Sequence, residues 1–145
     1  MKTCLAWRQG RQANFPLFAS PDTMSTPSPS PGSSRCERPW GWFETLGQGP
    51  GYRVKRLWIQ SGRRISLQRH QHRCEHWVVV AGCGELELEG QAMPAGIGST
   101  LFVPLGAWHR ASAGPEDLLI VEVQRGADLR EDDIERIADD FGRVP

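Results

Sequence analysis

Short strand-like runs separated by glycines constrain the fold of this chain more than any other feature, and they begin near Arg38. The runs at residues 52–59, 77–80 and 85–88 have the length and composition of β-strands. Glycines interrupt the segment at Gly47, Gly49, Gly51, Gly62, Gly82, Gly84, Gly90, Gly96 and Gly98. Many short strands with frequent turn signals are typical of a sandwich or barrel, so the predicted fold class is all-β.

The C-terminal end has a different pattern, which predicts one short helix. Acidic residues at 131–133 suit a helix N-terminus, and Gly142 suits the position just after a helix. The apolar residues between them recur with helical spacing, at Ile134, Ile137, Ala138 and Phe141. We therefore expect an all-β domain that ends in a short C-terminal helix.

Residues 1–36 have little aliphatic periodicity, and residues 27–34 are almost entirely proline, serine and glycine. Such a segment buries too little apolar surface to offset the entropy lost on ordering. The predicted organisation is a disordered tail at residues 1–36 and one folded domain at residues 37–145. The sequence leaves open whether translation starts at Met1 or Met24.

Composition argues against several classes of partner. Seventeen lysines and arginines balance 17 aspartates and glutamates, so there is no electrostatic reason to expect a nucleic acid or an anionic membrane. No apolar run approaches the roughly 20 residues of a membrane helix, and the N-terminal apolar stretch is too short for a secretory signal. The cysteines, at positions 4, 36, 74 and 83, lack CxxC spacing. We expect free thiols and a cytoplasmic location.

The chemistry is concentrated in two windows that contain all four histidines. In the first, Gln68 and His70 are two residues apart and would share one side of a strand, and Glu75 follows after a four-residue turn. In the second, a turn with Pro and Gly at residues 104–106 precedes His109. Imidazole, carboxylate and amide oxygen suit a divalent cation with open positions for substrate or water. These four residues are the predicted metal ligands.

The first window allows a second register, in which His70 and His72 form the ligand pair. That register leaves only two residues before Glu75 and breaks the glycine spacing. His72 could still face the mouth of the cavity, and His76 alternates away from Glu75, which favours a packing role. The tryptophans expected to form core or pocket walls are Trp40, Trp58, Trp77 and Trp108.

The two windows resemble the paired motifs of the cupin superfamily. Gln68 stands where the first metal-binding histidine of that pattern usually stands, and Ala113 replaces an asparagine that often follows the second motif. The resemblance implies a double-stranded β-helix, or jelly-roll barrel, that holds a divalent metal ion.

Beyond the motifs, the chain resembles the type II phosphomannose isomerases, the mannose-6-phosphate isomerase domains often fused behind a mannose-1-phosphate guanylyltransferase. The matching stretches are residues 38–41, 66–68, 73–79, 102–106, 120–124, 131–134 and 139–143. They extend over nearly all of residues 38–143. The glycine-rich phosphate loop of the nucleotidyltransferase module does not occur in this sequence.

This resemblance implies a metal-dependent isomerase that interconverts mannose 6-phosphate and fructose 6-phosphate and feeds GDP-mannose and polysaccharide synthesis. The resemblance does not indicate whether the bound metal is Zn, Mn, Co or Ni. The candidates for moving a proton between C1 and C2 are Lys55, His72 and Glu122. The candidates for binding the sugar phosphate are Arg73, Gln124, Arg125 and Arg143.

The expected partner is therefore a small sugar phosphate, bound by a protein that forms a homodimer. The alternative is a non-catalytic cupin that binds a sugar phosphate or sugar nucleotide and partners a separate guanylyltransferase. An oxygen-using cupin dioxygenase is a more distant possibility, because Gln68 replaces an imidazole poorly in tuning redox iron.

Overall fold

The computed structural model describes residues 26–145, in which eleven β-strands form two antiparallel sheets. In chain order the strands are β1 (Arg35–Arg38), β2 (Gly41–Gly49), β3 (Tyr52–Ile59), β4 (Leu67–Arg69), β5 (Arg73–Ala81), β6 (Cys83–Leu88), β7 (Gln91–Gly96), β8 (Thr100–Val103), β9 (His109–Ala113), β10 (Leu118–Gly126) and β11 (Glu135–Ala138). The all-β prediction is confirmed. Within residues 26–145 no helix is long and apolar enough to cross a membrane.

The two sheets are built from strands distant in sequence. The six-stranded sheet has the order β1-β2-β3-β10-β5-β8, and the five-stranded sheet has the order β11-β4-β9-β6-β7. Strand β10 thus lies between β3 and β5, and β9 lies between β4 and β6. Buried apolar residues from both sheets form one core, for example Trp77 and Ile120 of the first sheet with Leu86 and Ala111 of the second.

The inward faces of β5 and β10 change character along their length. Trp77 and Val79 of β5 are buried with Ile120 of β10, and each fully buried aliphatic side chain stabilises the fold by roughly 1.5–3 kcal/mol. Further along the same faces, the buried residues are Glu75 and Glu122. Because side chains alternate along a strand, this face carries apolar packing at one end and buried polar groups at the other. The polar end is where the site forms.

The predicted C-terminal helix is wrong, because residues 135–138 form strand β11. This strand pairs with β4, with Arg136 opposite Gln68, so it completes the edge of the five-stranded sheet. Ile137, which a helix would have buried, is 54% exposed. Asp133 does not begin a helix but accepts hydrogen bonds from the turn before β5. Pairing with a distant strand therefore overrides the local helical spacing.

Residues 28–36, assigned from sequence to the disordered tail, contact the outer face of the six-stranded sheet. Glu44 of β2 is fully buried there, and its carboxylate accepts hydrogen bonds from the Ser33 hydroxyl at 2.5 Å and from the Ser30 amide at 3.3 Å. Arg56 Nε donates to the same carboxylate at 2.7 Å. This segment and Arg56 of β3 together supply the hydrogen bonds of a buried carboxylate. Residues 1–25 of the predicted tail lie outside the described residues.

The cysteines agree only in part with the prediction of free thiols. Cys36 and Cys74 are free. Cys83 is disulfide-bonded, which corrects the prediction at that position. Sequence spacing alone does not reveal which thiols a fold brings together.

Candidate metal centre and adjoining cleft

Three potential metal ligands converge where the two sheets meet. One ligand atom each from His70, Glu75 and His109 lies within 4.8 Å of the others, and the three residues are 2%, 1% and 0% exposed. His70 Nε2 lies 3.2 Å from Glu75 Oε1, and His109 Nε2 lies 3.4 Å from Glu75 Oε2. His70 follows β4, Glu75 is the third residue of β5 and His109 begins β9. The structure thus brings together three of the four predicted ligands.

Hydrogen bonds to backbone carbonyls determine which nitrogen of each imidazole carries the proton. His70 Nδ1 lies 2.6 Å from the carbonyl oxygen of Asp133, and His109 Nδ1 lies 2.9 Å from that of Ala107. A carbonyl oxygen only accepts, so each Nδ1 carries a hydrogen and each Nε2 faces Glu75. His109 Nε2 is buried and has no hydrogen-bond partner among the described residues. A buried ring nitrogen that faces a carboxylate and has no other partner is the arrangement that a metal ion completes.

The electrostatics of the three groups also suit a cation. Burial lowers the pKa of His70 to about 4, so this imidazole is neutral at pH 7. Burial raises the pKa of Glu75, but the interaction with His109 and the charge of Arg73 outweigh it, and the net shift is downward. Burial lowers the pKa of His109, but the Glu75 carboxylate raises it more. The raised pKa means that His109 shares a proton with the Glu75 carboxylate, and a bound metal ion would take the place of that proton.

Gln68, the fourth predicted ligand, lies beside this centre. It is the Cα partner of His109 across β4 and β9, and its Oε1 accepts a hydrogen bond from the Ser66 hydroxyl at 2.7 Å. An amide oxygen has two lone pairs, so Gln68 can accept this bond and still bind a cation. The four residues fit a divalent ion, and metal binding by them stays a prediction.

Asp133, which the sequence analysis placed in a helix, holds the turn between β4 and β5. Its carboxylate accepts the backbone N–H groups of Gln71 and His72, each at 3.0 Å, while its own carbonyl accepts the Nδ1–H of His70. His72 Nδ1 also lies 3.2 Å from this carboxylate. No local sequence signal links Asp133 to this turn, because the contact spans more than 60 residues.

Arg73, predicted to bind phosphate, is buried beside the metal centre and also lines the cleft described below. Its Nε donates to Glu75 Oε1 at 2.9 Å, and its Nη2 lies 3.2 Å from His70 Nε2. Its Nη1 donates to the carbonyl of Arg130 at 3.3 Å. The guanidinium thus neutralises part of the buried negative charge of Glu75.

A second buried carboxylate lies behind Glu75. Trp77 Nε1 donates to Glu75 at 3.1 Å and to Glu122 at 2.9 Å, and Gln124 Nε2 donates to Glu122 at 2.8 Å. Burial and the neighbouring charge of Glu75 raise the pKa of Glu122 to about 8. Trp77 and Gln124 therefore fix the position of Glu122. Gln124 holds Glu122 in place and does not itself line the cleft.

A cleft adjoins the metal centre and draws its walls from both sheets. Gln68, Arg73 and Glu122 are shared between the cleft and the centre. The other residues that line it are Arg38, Trp40, Phe43, Lys55, Leu57, Ile65, Glu131, Ile134, Arg136 and Arg143. The cleft thus combines apolar walls, buried ionisable side chains and several positive charges, which is typical of a site for a charged small molecule.

Two of the three proton-transfer candidates line this cleft. Lys55 is buried opposite Glu122, its Cα partner across β3 and β10, and its Nζ donates to Glu131. The ammonium also lies 4.1 Å from the centre of the Phe43 ring. His72 does not line the cleft: its side chain is 49% exposed and contacts Asp133.

Of the four predicted substrate-binding residues, Arg143 and Arg73 line the cleft, Gln124 supports it from behind, and Arg125 is exposed on the opposite face of β10. Sequence reasoning missed Arg38 and Arg136, which also line the cleft. Arg38 lies in residues 38–41, one of the stretches that resemble the phosphomannose isomerases, and this resemblance could have identified it as a candidate. Along β11, partly buried residues such as Arg136 alternate with exposed ones. Because the sequence analysis predicted a helix here, it did not consider this strand pattern.

The remaining aromatic candidates occupy the positions expected for packing groups. His76 points away from Glu75, and its ring lies 4.6 Å from that of Phe102. Trp40 and Trp77 are buried in the core, and Trp58 stacks on Trp42. Trp108 lies under the guanidinium of Arg69.

Solved structures confirm the cupin fold. A cupin-2 domain from Rhodospirillum rubrum superposes with a TM-score of 0.68 at 16% identity, covering 81% of this chain and 84% of that one. KdgF from Halomonas sp. gives 0.61 at 21% identity, covering 68% and 91%. The capsular polysaccharide assembling protein CapF from Staphylococcus aureus gives 0.64 at 16% identity, covering 76% and 34%. At these identities the likeness extends to the fold alone.

Proteins related in sequence identify the family of the chain more specifically than the solved structures do. The chain is 42% identical over 108 residues to a mannose-1-phosphate guanylyltransferase of Escherichia coli, covering 74% of this chain and 23% of that protein. It is 39% identical over 114 residues to the alginate biosynthesis protein AlgA of Pseudomonas aeruginosa, covering 77% and 24%. The xanthan biosynthesis protein XanB of Xanthomonas campestris matches at 39% over 108 residues, covering 74% and 23%.

The chain therefore spans about a quarter of the length of these relatives. The family model for the C-terminal domain of mannose-6-phosphate isomerase matches residues 32–139. This match includes every strand that supplies a ligand to the metal centre and every strand that lines the cleft. The chain belongs to the mannose-6-phosphate isomerase C-terminal family.

Proposed function

We propose that this protein is a metal-dependent mannose-6-phosphate isomerase, which interconverts mannose 6-phosphate and fructose 6-phosphate. The observation that carries the proposal is the buried group of His70, Glu75 and His109 adjoining a cleft that contains Lys55 and Glu122. The membership of the chain in its family supports this choice among the many activities of the cupin fold.

The reaction moves a proton between C1 and C2 of the open-chain sugar through an enediol. A divalent ion held by Gln68, His70, Glu75 and His109 would supply positive charge near the substrate oxygens at which negative charge develops. Two imidazoles, a carboxylate and an amide oxygen suit Zn, Mn, Co or Ni.

The residues of the cleft provide the groups that handle the proton. Lys55 and Glu122 lie opposite each other on adjacent strands, and both line the cleft. Glu122 is held by Trp77 and Gln124, and Lys55 is held by Glu131, so each group has a fixed position. We propose that one of the two accepts the proton from the substrate carbon and returns it to the neighbouring carbon.

The names of the relatives suggest a biosynthetic context. Guanylyltransferase, alginate and xanthan biosynthesis proteins all contain a region similar to this chain. We place the proposed isomerase in the cytoplasm, upstream of GDP-mannose and polysaccharide synthesis, and expect it to act as a homodimer. The guanylyltransferase activity of the longer relatives is not part of the proposal, because this chain spans only about a quarter of them.

A coupled assay tests the proposal directly. Purified protein is loaded in turn with Zn, Mn, Co or Ni and incubated with mannose 6-phosphate, and formation of fructose 6-phosphate is measured. We expect turnover with at least one metal, and loss of turnover with a chelator. If folded, metal-loaded protein binds mannose 6-phosphate by calorimetry but shows no turnover, the alternative of a non-catalytic sugar-phosphate-binding cupin that partners a guanylyltransferase replaces this proposal.

A further inference from the structure

Three arginines from separate segments line one cleft: Arg38 at the end of β1, Arg136 on β11 and Arg143 in the turn after β11. They lie close enough for their charges to interact. Burial lowers the pKa of Arg136, and the positive charges of Arg143 and Arg38 lower it further. Like charges are brought together at an energetic cost, so the arrangement needs a compensating negative group.

The protein supplies only part of that compensation. Arg143 is paired with Asp139, with Nη2–Oδ1 at 2.5 Å and Nε–Oδ2 at 3.0 Å. Within residues 26–145, neither Arg38 nor Arg136 forms an ion pair with a carboxylate. Arg38 Nη1 donates to the carbonyl of Glu37 at 2.8 Å, and Arg136 Nε donates to the Ser66 hydroxyl at 3.2 Å.

The other carboxylates of the cleft are already engaged. Glu131 accepts hydrogen bonds from Lys55 and Arg53, and Glu122 accepts them from Trp77 and Gln124. The three arginines therefore share one protein carboxylate, and an excess of positive charge remains at the wall of the cleft.

We propose that Arg38, Arg136 and Arg143 bind the phosphate group of the substrate. This inference rests on the proposed function and assigns the phosphate to one part of the same cleft. Guanidinium groups bind phosphate through paired N–H donors, and a dianion supplies the charge that the protein leaves uncompensated.

The phosphate site is linked to the metal centre by hydrogen bonds. Arg136 donates to the Ser66 hydroxyl, and that hydroxyl donates to Gln68 Oε1 at 2.7 Å. In an open-chain hexose 6-phosphate, the phosphate and the C1–C2 carbons are at opposite ends. Anchoring the phosphate at the arginines would therefore direct the reacting carbons along the cleft towards Gln68 and Glu122, so Arg136 is a positioning residue as well as a binding residue.

Calorimetry on the metal-loaded full chain tests this site independently of turnover. The ligands are mannose 6-phosphate and unphosphorylated mannose, and the variants are Arg136→Gln and Arg38→Gln. Each variant removes charged hydrogen bonds, so we expect the Kd for mannose 6-phosphate to rise about 10- to 100-fold. The affinity for mannose should not change between the wild type and either variant.

Arg110→Gln is the matched control, because Arg110 pairs with Glu87 on β6 and does not line the cleft. It should bind mannose 6-phosphate as the wild type does. Arg38 is exposed, and within residues 26–145 its side chain contacts no other side chain except the Phe43 ring. Arg38→Gln therefore keeps the test valid if Arg136→Gln does not fold. Circular dichroism and metal content establish that each variant is intact.

The outcomes separate the two proposals. If the wild type shows no turnover but the arginine variants lose affinity for mannose 6-phosphate, the phosphate site stands and the isomerase proposal fails. If the wild type is active and the intact arginine variants bind mannose 6-phosphate with unchanged Kd, the phosphate site is overturned and the isomerase proposal stands.

Discussion

The backbone carbonyl of Asp133 accepts the Nδ1–H of His70 at 2.6 Å, although the two residues are 63 positions apart. This bond sets the tautomer of His70 and turns its Nε2 towards Glu75. Two further bonds from the Asp133 carboxylate fix the turn that follows His70. A residue that binds no metal itself therefore holds a predicted metal ligand in place.

Asp133→Ala should weaken metal binding and lower stability. The substitution keeps the backbone carbonyl that accepts the Nδ1–H of His70 and removes the carboxylate that accepts the amides of Gln71 and His72. The two unpaired amides cost about 1–3 kcal/mol of unfolding free energy, and the loosened turn should lower metal affinity by about 10-fold. Metal titration and denaturant unfolding measure these effects. Asp132→Ala is the control, because the Asp132 side chain is 82% exposed and, within residues 26–145, its one ion pair is with Arg130. Equal behaviour of the two variants would show that the Asp133 carboxylate does not support the centre.

The metal assignment predicts a clear difference between two histidines. His70→Ala should lose bound metal by elemental analysis, because it removes one of three converging ligand atoms. His76→Ala should retain metal, because His76 is exposed on the other face of β5 and packs on Phe102. Unchanged metal content in folded His70→Ala protein would refute the assignment.

Glu75→Gln should abolish isomerase turnover while the protein remains folded. The substitution keeps the size of the side chain but removes the only carboxylate in the converging group, so the charge of a bound cation is less well balanced. Turnover and metal stoichiometry are measured together. A Glu75→Gln protein with full metal content and wild-type turnover would exclude the proposed role of Glu75.

Substitutions of the three proton-transfer candidates should affect kcat differently, according to whether the residue lines the cleft. Lys55→Met and Glu122→Gln should each lower kcat by about 10²- to 10⁴-fold if that residue moves the proton, with metal content unchanged. His72→Gln should have a small effect, because His72 is half exposed and does not line the cleft. A large loss of kcat only in His72→Gln would contradict this placement.

The contact between Asp139 and Arg143 predicts a dependence of stability on pH. The hydrogen-bonded guanidinium of Arg143 lowers the pKa of Asp139 from 3.8 to about 2. Because the pKa is lower in the folded state, the stabilisation is present above about pH 4 and is lost as the pH falls towards 2. The difference in unfolding free energy between the wild type and Asp139→Asn should therefore shrink between pH 6 and pH 2.5. A difference that is constant over this range would contradict the assignment.

The contact of residues 28–36 with the sheet predicts that Ser33→Ala destabilises the protein. The Ser33 hydroxyl donates to the fully buried carboxylate of Glu44, and leaving a buried charge short of one donor costs about 1–3 kcal/mol. Ser34→Ala is the control, because Ser34 is exposed. Thermal and denaturant unfolding measure both variants, and identical stabilities would show that this segment does not support Glu44.

Local sequence patterns were enough to predict the fold class and the metal ligands. Glycine-separated short runs predicted an all-β domain, because strand length and turn chemistry are local properties. The spacing of Gln68, His70 and Glu75 predicted convergence for the same reason, since a strand, a turn and a returning strand lie within one short window. His109 was predicted from the turn at residues 104–106 that precedes it, and the resemblance to the second cupin motif supported that prediction.

The role of the C-terminal segment depends on contacts between residues that are distant in sequence. Its apolar spacing fits a helix locally, but pairing with β4 satisfies its backbone and makes it strand β11. That pairing brings Asp133 to His70 and places Arg136 and Arg143 in a cleft with Arg38. These groups come from opposite ends of the domain, and no local pattern encodes their contact. Their positions depend on which sheet edge β11 pairs with. That choice depends on packing and hydrogen bonds between segments that are distant in sequence.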